Sequence, residues 1–338
     1  MIEDSAALET LLTEIVDRMS QAADKGAVAD YIPELAAIDP AQFAISICLP
    51  DGRQISVGDV QADFSIQSIS KVFTLAIALG RYGDTYWTRV GREPSTSVFN
   101  SVQELESRNG IPANPFVNSG AIATTDALLV GATPKETLGE ILQFIRLAAS
   151  DDDIYINPSI AESEKRTGHR NWSLAHFLKS CDNLRHECEL TLGTYFHHCA
   201  ISMNCAQLAR TGRFLAGLHP AGTLILPAHV RSINALMMTC GHYNGSGEFA
   251  YRVGFPAKSG VSGGILAVIP KRASIAVWSP GLDRYGNSLL GTAALEEVSR
   301  RAGLSVFSVE GDTRPLRRGG PAEGAAAAGR AADPEPGR

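Results

Sequence analysis

Residues Gln67-Ser68-Ile69-Ser70-Lys71-Val72-Phe73 hold the pattern around which the whole chain can be read. Ser68 and Lys71 stand three apart at the start of an apolar run that continues to Leu79. The spacing predicts a helix from about Ser68 to Leu79, stopped near Gly80 and Gly83, and helix positions i and i+3 share a face. A serine hydroxyl is a weak nucleophile until a neighbouring base takes its proton. A lysine amine serves as that base once desolvation and nearby charges lower its pKa. The first turn of a helix adds free N–H groups and a positive field suited to a developing oxyanion. A capped surface helix with an exposed lysine would carry the same residues, so the motif needs its context.

That context lies on both sides. Upstream, Gln42–Cys48 and Gln54–Val57 flank the turn Pro50-Asp51-Gly52 and read as a β-hairpin. Downstream, Lys258-Ser259-Gly260-Val261 stands just before a strand at Gly264–Pro270, and Pro270-Lys271-Arg272 leads to a second at Ser274–Trp278. Serine enzymes with an S-x-x-K motif carry a Lys-Thr/Ser-Gly triad on a strand lining the site. Its backbone can donate a second oxyanion N–H, and its glycine admits close approach of substrate. The plainer alternative is a cationic turn with a flexible glycine. Two motifs about 190 residues apart, in this order and context, weigh more than either alone. A third element, S-x-N or Y-x-N, is matched by Tyr155-Ile156-Asn157, Ser202-Met203-Asn204 and Ser232-Ile233-Asn234. Three matches do not discriminate.

Working outward, Leu8, Leu11, Leu12, Ile15, Val16 and Met19 recur at helical spacing within residues 5–24, with Ser5 to cap the start and Gly26 to end it. Between about 100 and 250 helical periodicity dominates, as in Thr137–Ser150 and Asn204–Leu218. A last helix, Ser288–Arg301, ends at Gly303. The predicted class is α+β. Early and late strands form one antiparallel sheet, the two terminal helices flank it, and the helical middle makes a second lobe. The sheet lobe takes roughly residues 1–65 and 255–310, the helical lobe roughly 66–254, and the site falls in the cleft between them. Residues 311–338 have almost no large apolar side chain and read as a disordered low-complexity tail after a single catalytic domain of residues 1–310.

Composition narrows the function classes. With 338 residues, 44% hydrophobic and 20% charged, the chain can bury a core without disulfide or metal staples. A net charge of −6 argues against a nucleic-acid or acidic-membrane partner. The six cysteines show no C-x-x-C spacing, so no zinc or redox pair is expected and they read as small buried apolar residues. No metal and no organic cofactor is called for. The N-terminus MIEDSAALETLL lacks the form of a signal peptide. The apolar stretch Val72–Leu79 is too short for a membrane span. A cytoplasmic location is expected.

Over about residues 25–305 the chain resembles the serine-dependent glutaminase family. The resemblance rests on Asp30-Tyr31-Ile32-Pro33-Glu34-Leu35, Gln67–Lys71, Asn114–Ile122, Ser163-Glu164 with Arg170-Asn171, Tyr195 before Cys199, Cys240-Gly241-His242-Tyr243, Pro256–Val261, and Ser279–Asp283 with Tyr285-Gly286-Asn287. It implies the β-lactamase/transpeptidase-like fold, in agreement with the layout above. It implies hydrolysis of L-glutamine to L-glutamate and ammonia through a serine acyl-enzyme, by a homodimer or homotetramer. Ser68 is then the nucleophile and Lys71 its base. Tyr31 and Tyr243 border nucleophile and substrate. The backbone N–H groups of Ser68 and Val261 form the oxyanion hole, supported by Lys258, Ser259 and Gly260. Asn118, Glu164, Asn171 and Tyr195 hold the amino-acid head. These residue types suit the two charged ends of an amino acid, because an ammonium needs a carboxylate and a carboxylate needs neutral donors. The competing structural readings are a solvated helix face around Glu164 and a turn at Asn118-Ser119-Gly120. Two departures stand out. Thr96 follows Pro94-Ser95 where a glycine is expected, and His197-His198 precede Cys199. Neither is expected to touch a residue with an implied role. The rival functions are a β-lactamase or peptidase on the same scaffold, and an amino-acid sensor without turnover.

Overall fold

The alternation of residues along short strands builds the centre of the molecule. The computed structural model describes residues 4–95 and 97–309; the segment read as a tail lies outside them. Strands β1 (Ala44–Cys48) and β2 (Gln54–Gly58) form the expected hairpin. The late strands β6 (Ala257–Ser259), β7 (Gly264–Ile269) and β8 (Ala273–Trp278) join them in a five-stranded antiparallel sheet of order β2-β1-β8-β7-β6. Successive side chains of a strand point to opposite faces. Ile45, Ile47, Ile265, Ala267, Ile275 and Val277 therefore share one face, packed against the helices Ser5–Ser20 and Leu289–Ala302. Those helices contribute Leu8, Leu11, Leu12, Ile15, Leu295 and Val298 to the same core.

The first helix starts and stops differently from expectation. Asp4, not Ser5, is its cap: the Asp4 carboxylate accepts from the N–H groups of Ala6 and Ala7. Ser5 is already helical, and the residue before it holds the extended backbone a cap requires. The helix ends at Ser20, one residue past the last apolar contact, rather than at Gly26.

The opposite sheet face meets the helical region. Its central helix, Ser70–Tyr82, is buried from Ser70 to Leu79. Around it pack, among others, helices Asn118–Leu128, Pro134–Ala149, Cys188–Cys199 and Pro227–Cys240. One part of this region is not expected from the residue pattern. Strands β3 (Asp63–Ser65), β4 (Tyr155–Ile156) and β5 (Ile201–Asn204) make a small second sheet of order β3-β5-β4. Strands of two to four residues are too short to show a period, and their partners are remote in sequence. Phe64 of β3 stacks on Trp278 of β8 at 5.1 Å, tying the small sheet to the large one. All six cysteines are free, and five are buried, as expected of small apolar residues. Among the described residues no helix is long and apolar enough to cross a membrane.

Candidate active site

The chain leaves β3 and enters a tight 3-10 turn, Gln67–Ile69, before the helix Ser70–Tyr82 begins. Ser68 therefore sits in the turn ahead of the α-helix and not in its first α turn. Gln67 takes a left-handed backbone, φ +47°. Such strain in a non-glycine residue costs about 1–2 kcal/mol and persists where neighbours hold it. Here the Ser70 hydroxyl donates to the Gln67 carbonyl at 2.7 Å, and the Gln67 amide donates to Ser65 Oγ at 3.2 Å.

Lys71 lies one turn on, 1% exposed. Its Nζ donates to Asn118 Oδ1 at 2.7 Å and to the Phe116 carbonyl at 3.1 Å. Burial lowers its pKa to about 8, against the opposing pull of Cys199 and Glu164. Two acceptors match the two N–H groups of a neutral amine and leave its lone pair free. Asn118 opens its helix, and the preceding loop is oriented by Asn114, whose Oδ1 accepts from the N–H groups of Phe116 and Val117. Gly120 permits this fold-back, since a Cβ there would lie 2.0 Å from the Asn114 carbonyl oxygen. None of the three S-x-N or Y-x-N matches is on Lys71. Tyr155 and Ser202 face each other across β4 and β5, and Asn234 donates to the Leu215 carbonyl.

The residues expected to hold the head group come from four helices. Glu164, on Pro158–Thr167, is 6% exposed, so the solvated-face reading is wrong. Burial raises its pKa, while hydrogen bonds from Tyr31 and Gln67 act the other way. The Tyr31 hydroxyl donates to Glu164 Oε1 at 2.7 Å, although 42% of that residue's surface remains exposed. Burial and the Glu164 charge hold the Tyr31 pKa well above its usual value. Asn118 Nδ2 donates to Asn171 Oδ1 at 2.9 Å, joining the Lys71 contact to the helix His169–Ser180. Tyr195, on Cys188–Cys199, is buried, and that burial raises its pKa strongly.

The other side is built by the last sheet strand. Lys258 on β6 is fully buried; its Nζ donates to the Ser259 carbonyl at 2.5 Å and lies 4.5 Å from the centre of the Tyr243 ring. Burial, then the charge of Lys71, hold its pKa well below the usual lysine value. Tyr243 has a left-handed φ of +52° and rests on Phe99, ring centres 4.6 Å apart. Its hydroxyl is buried without a partner in hydrogen-bond geometry. Burial takes its pKa up to about 12, although the hydroxyls of Ser68 and Ser259 lie close enough to favour the ionised form. Ser259 Oγ donates to Asn287 Oδ1 at 2.6 Å. A Cβ on Gly260 would lie 2.6 Å from the Ile66 carbonyl oxygen. The close approach this glycine allows is thus made by the chain entering the Gln67–Ile69 turn, and not by substrate as its place in the motif suggests.

These walls enclose a cleft of about 320 Å³. Seven of the anticipated residues line it: Tyr31, Ser68, Asn118, Glu164, Asn171, Tyr195 and Val261. Lys71 reaches it through Asn118, and Tyr243 through Phe99. Phe99, Asn100, Thr167, Gly168, Arg170 and Cys199 line it too, although none of them is anticipated as a site residue. Thr167, Gly168 and Arg170 are chain neighbours of Glu164 and Asn171, a signal that could have found them. Nothing in the sequence marks Phe99 and Asn100. His198 needs a correction. It is buried on the helix Cys188–Cys199, packs edge-on against Tyr195 at 5.2 Å and pairs with Ser70, so it touches the site. Thr96 lies outside the described residues. Among the described residues, no group of three or more His, Cys, Asp or Glu could hold a metal ion.

An antiparallel sheet flanked by terminal helices, with its last strand laid against an S-x-x-K turn from a helical region, is the β-lactamase/transpeptidase-like fold. Comparison with known proteins narrows this. The model of the family described as Glutaminase matches residues 26–307. A glutaminase of Rhodopseudomonas palustris (strain ATCC BAA-98 / CGA009) is 58% identical over 306 residues, covering 89% of this chain and 98% of that protein. Among solved structures, the probable glutaminase ybaS superposes with a TM-score of 0.84 at 35% identity, over 90% of this chain and 100% of the other. A probable glutaminase from Bacillus subtilis complexed with 6-diazo-5-oxo-L-norleucine gives 0.78 at 34%, over 87% and 94%. The chain belongs to the glutaminase family, and it is an amidohydrolase.

Proposed function

We propose that this protein hydrolyses L-glutamine to L-glutamate and ammonia through an acyl-enzyme on Ser68. One observation supports this most directly: a single cleft holds Ser68 together with a buried carboxylate, Glu164, and neutral donors suited to an amino-acid head group. The ammonium of glutamine pairs with Glu164, and its carboxylate takes donors from Asn118, Asn171 and Tyr195. Ser68 Oγ attacks the γ-carboxamide carbon while its proton passes to neutral Lys71, with Tyr243 beside the Ser68 hydroxyl. The oxyanion is received by the main-chain N–H groups of Ser68 and Val261. The C–N bond breaks, the proton leaves with ammonia, and a γ-glutamyl ester remains on Ser68. Water then attacks the ester, releasing glutamate and restoring the hydroxyl.

Ammonia release from glutamine, combined with acid-quenched mass spectrometry during turnover, tests both parts. The expected result is ammonia with a glutamyl adduct on the Ser68 peptide. Absence of ammonia release would sink the reaction. Release with an adduct on another residue would sink the nucleophile.

A further inference from the structure

We propose that His198 is a positioning residue: through Ser70 it holds the Gln67 carbonyl, and with it the left-handed turn that presents Ser68 to the cleft. The inference rests on the reading of Ser68 as nucleophile.

His198 is fully buried between two hydroxyls on different helices. Its Nδ1 lies 2.9 Å from Ser70 Oγ and its Nε2 lies 3.0 Å from Thr125 Oγ1. Burial takes its pKa down to about 3, so the ring is neutral and carries one N–H. The Ser70 hydroxyl spends its single hydrogen on the Gln67 carbonyl, 2.7 Å away. Ser70 to Gln67 and Thr125 to Ala121, 2.8 Å, are competing uses of the two hydroxyl hydrogens; in the proposed chain the first is kept, and the nitrogen facing Ser70 is the donor. That assigns the proton to Nδ1, and Nε2 becomes the acceptor for the Thr125 hydroxyl. The result is a directed chain from Thr125 to His198 to Ser70 to the Gln67 carbonyl.

With the proton on Nε2 the direction reverses. Thr125 would send its hydrogen to the Ala121 carbonyl, 2.8 Å away in its own helix, and Ser70 would turn its hydrogen to Nδ1. The Gln67 carbonyl would lose that hydroxyl. Gln67 is the residue whose strained φ sets the turn, and its side chain also favours the ionised form of Glu164. The imidazole further buttresses Tyr195 edge-on, so one side chain braces both the nucleophile turn and the head-group wall. Misplacement of a reacting group by 1 Å can lower a rate about a hundredfold.

Steady-state kinetics with glutamine on purified full-length His198→Leu and His198→Gln variants, beside thermal melting, test the chain. His198→Leu should lose about ten- to a hundredfold in kcat with KM within about threefold. His198→Gln offers one donor and one acceptor and should stay within about threefold of wild type in kcat. A folded His198→Leu with wild-type kcat overturns the proposal, as does a His198→Gln variant as slow as the leucine one. If His198→Leu does not fold, Thr125→Val removes the far donor alone. Its kcat should fall about three- to tenfold at unchanged KM, and a wild-type value there overturns the proposal. Ser68→Ala in parallel separates the two readings. If it retains turnover, both fall; if it is inactive, a fast His198→Leu rejects only the positioning role.

Discussion

The two faces of the five-stranded sheet differ in what they hold, although they are made by the same strands. The face under the terminal helices carries Ile45, Ile47, Ile265, Ala267, Ile275 and Val277, an all-apolar layer. The opposite face carries Leu266, Val268, Ala276 and Trp278, and with them the buried polar side chains of Ser46, Lys258 and Ser274. A shift of one residue along a strand changes faces. Ala257 belongs to the apolar core, and Lys258 beside it stands under the Tyr243 ring. Each fully buried Ile or Val on the first face stabilises the fold by about 1.5–3 kcal/mol. On the second face, a lysine held without water is disfavoured in its charged form, which its lowered pKa records. One side of the sheet is purely apolar; the other joins a still larger apolar core to the buried polar groups of the candidate site.

That division is open to measurement. The largest effect should come from Ser68→Ala. Turnover should drop at least about a thousandfold while the melting temperature stays within a few degrees, since the proposed ester forms on the Ser68 hydroxyl. Retained turnover would remove the chemical meaning of the polar face. Next comes Ile275→Ala on the apolar face. Denaturant unfolding should show a loss of about 2–5 kcal/mol, with kcat per folded molecule unchanged. A parallel fall in kcat would show that the faces are not separable.

Asparagine sharpens the comparison on the cleft side. With its head group on Glu164, Asn118 and Tyr195, its amide carbon falls short of Ser68 by more than about 1 Å, one C–C bond's reach. Its kcat should be about a hundredfold below that of glutamine, because misplacement outweighs the roughly 1 kcal/mol of one lost methylene contact. Equal turnover numbers would contradict a fixed frame. The mildest effect is that of pH. In the proposed mechanism Lys71 has to be neutral to accept the proton, and burial puts its pKa near 8. The value of kcat/KM should therefore fall about tenfold per unit as pH drops below 8, and level off above it. A rate independent of pH between 6 and 8 would exclude Lys71 as the titrating base.

Much of this was legible in the sequence where neighbours along the chain do the work. The hairpin turn at Pro50-Asp51-Gly52 and the strand runs ending at Ile269 and Trp278 appear where the local pattern places them. The class of fold is borne out as well. The small sheet β3-β5-β4 was not legible, because strands of two to four residues show no period. His198 was undervalued for a different reason. Beside a second histidine at the end of a helix it looks like a surface residue, and only packing shows it inserted between Ser70 and Thr125.

The sequence by itself determined the pieces whose geometry is short-range. Ser68 and Lys71 lie three residues apart, and Lys258 alternates with Ala257 and Ser259, because backbone periods of helix and strand impose those relations. Only the tertiary structure decided which distant groups meet. Asn118 reaches Lys71 across 47 residues, Tyr31 reaches Glu164 across 133, and Gly260 is pressed against the Ile66 carbonyl. Such pairings follow from how whole elements bury their apolar faces together. No local period encodes them, and the shifted pKa of Lys71 arises from that burial.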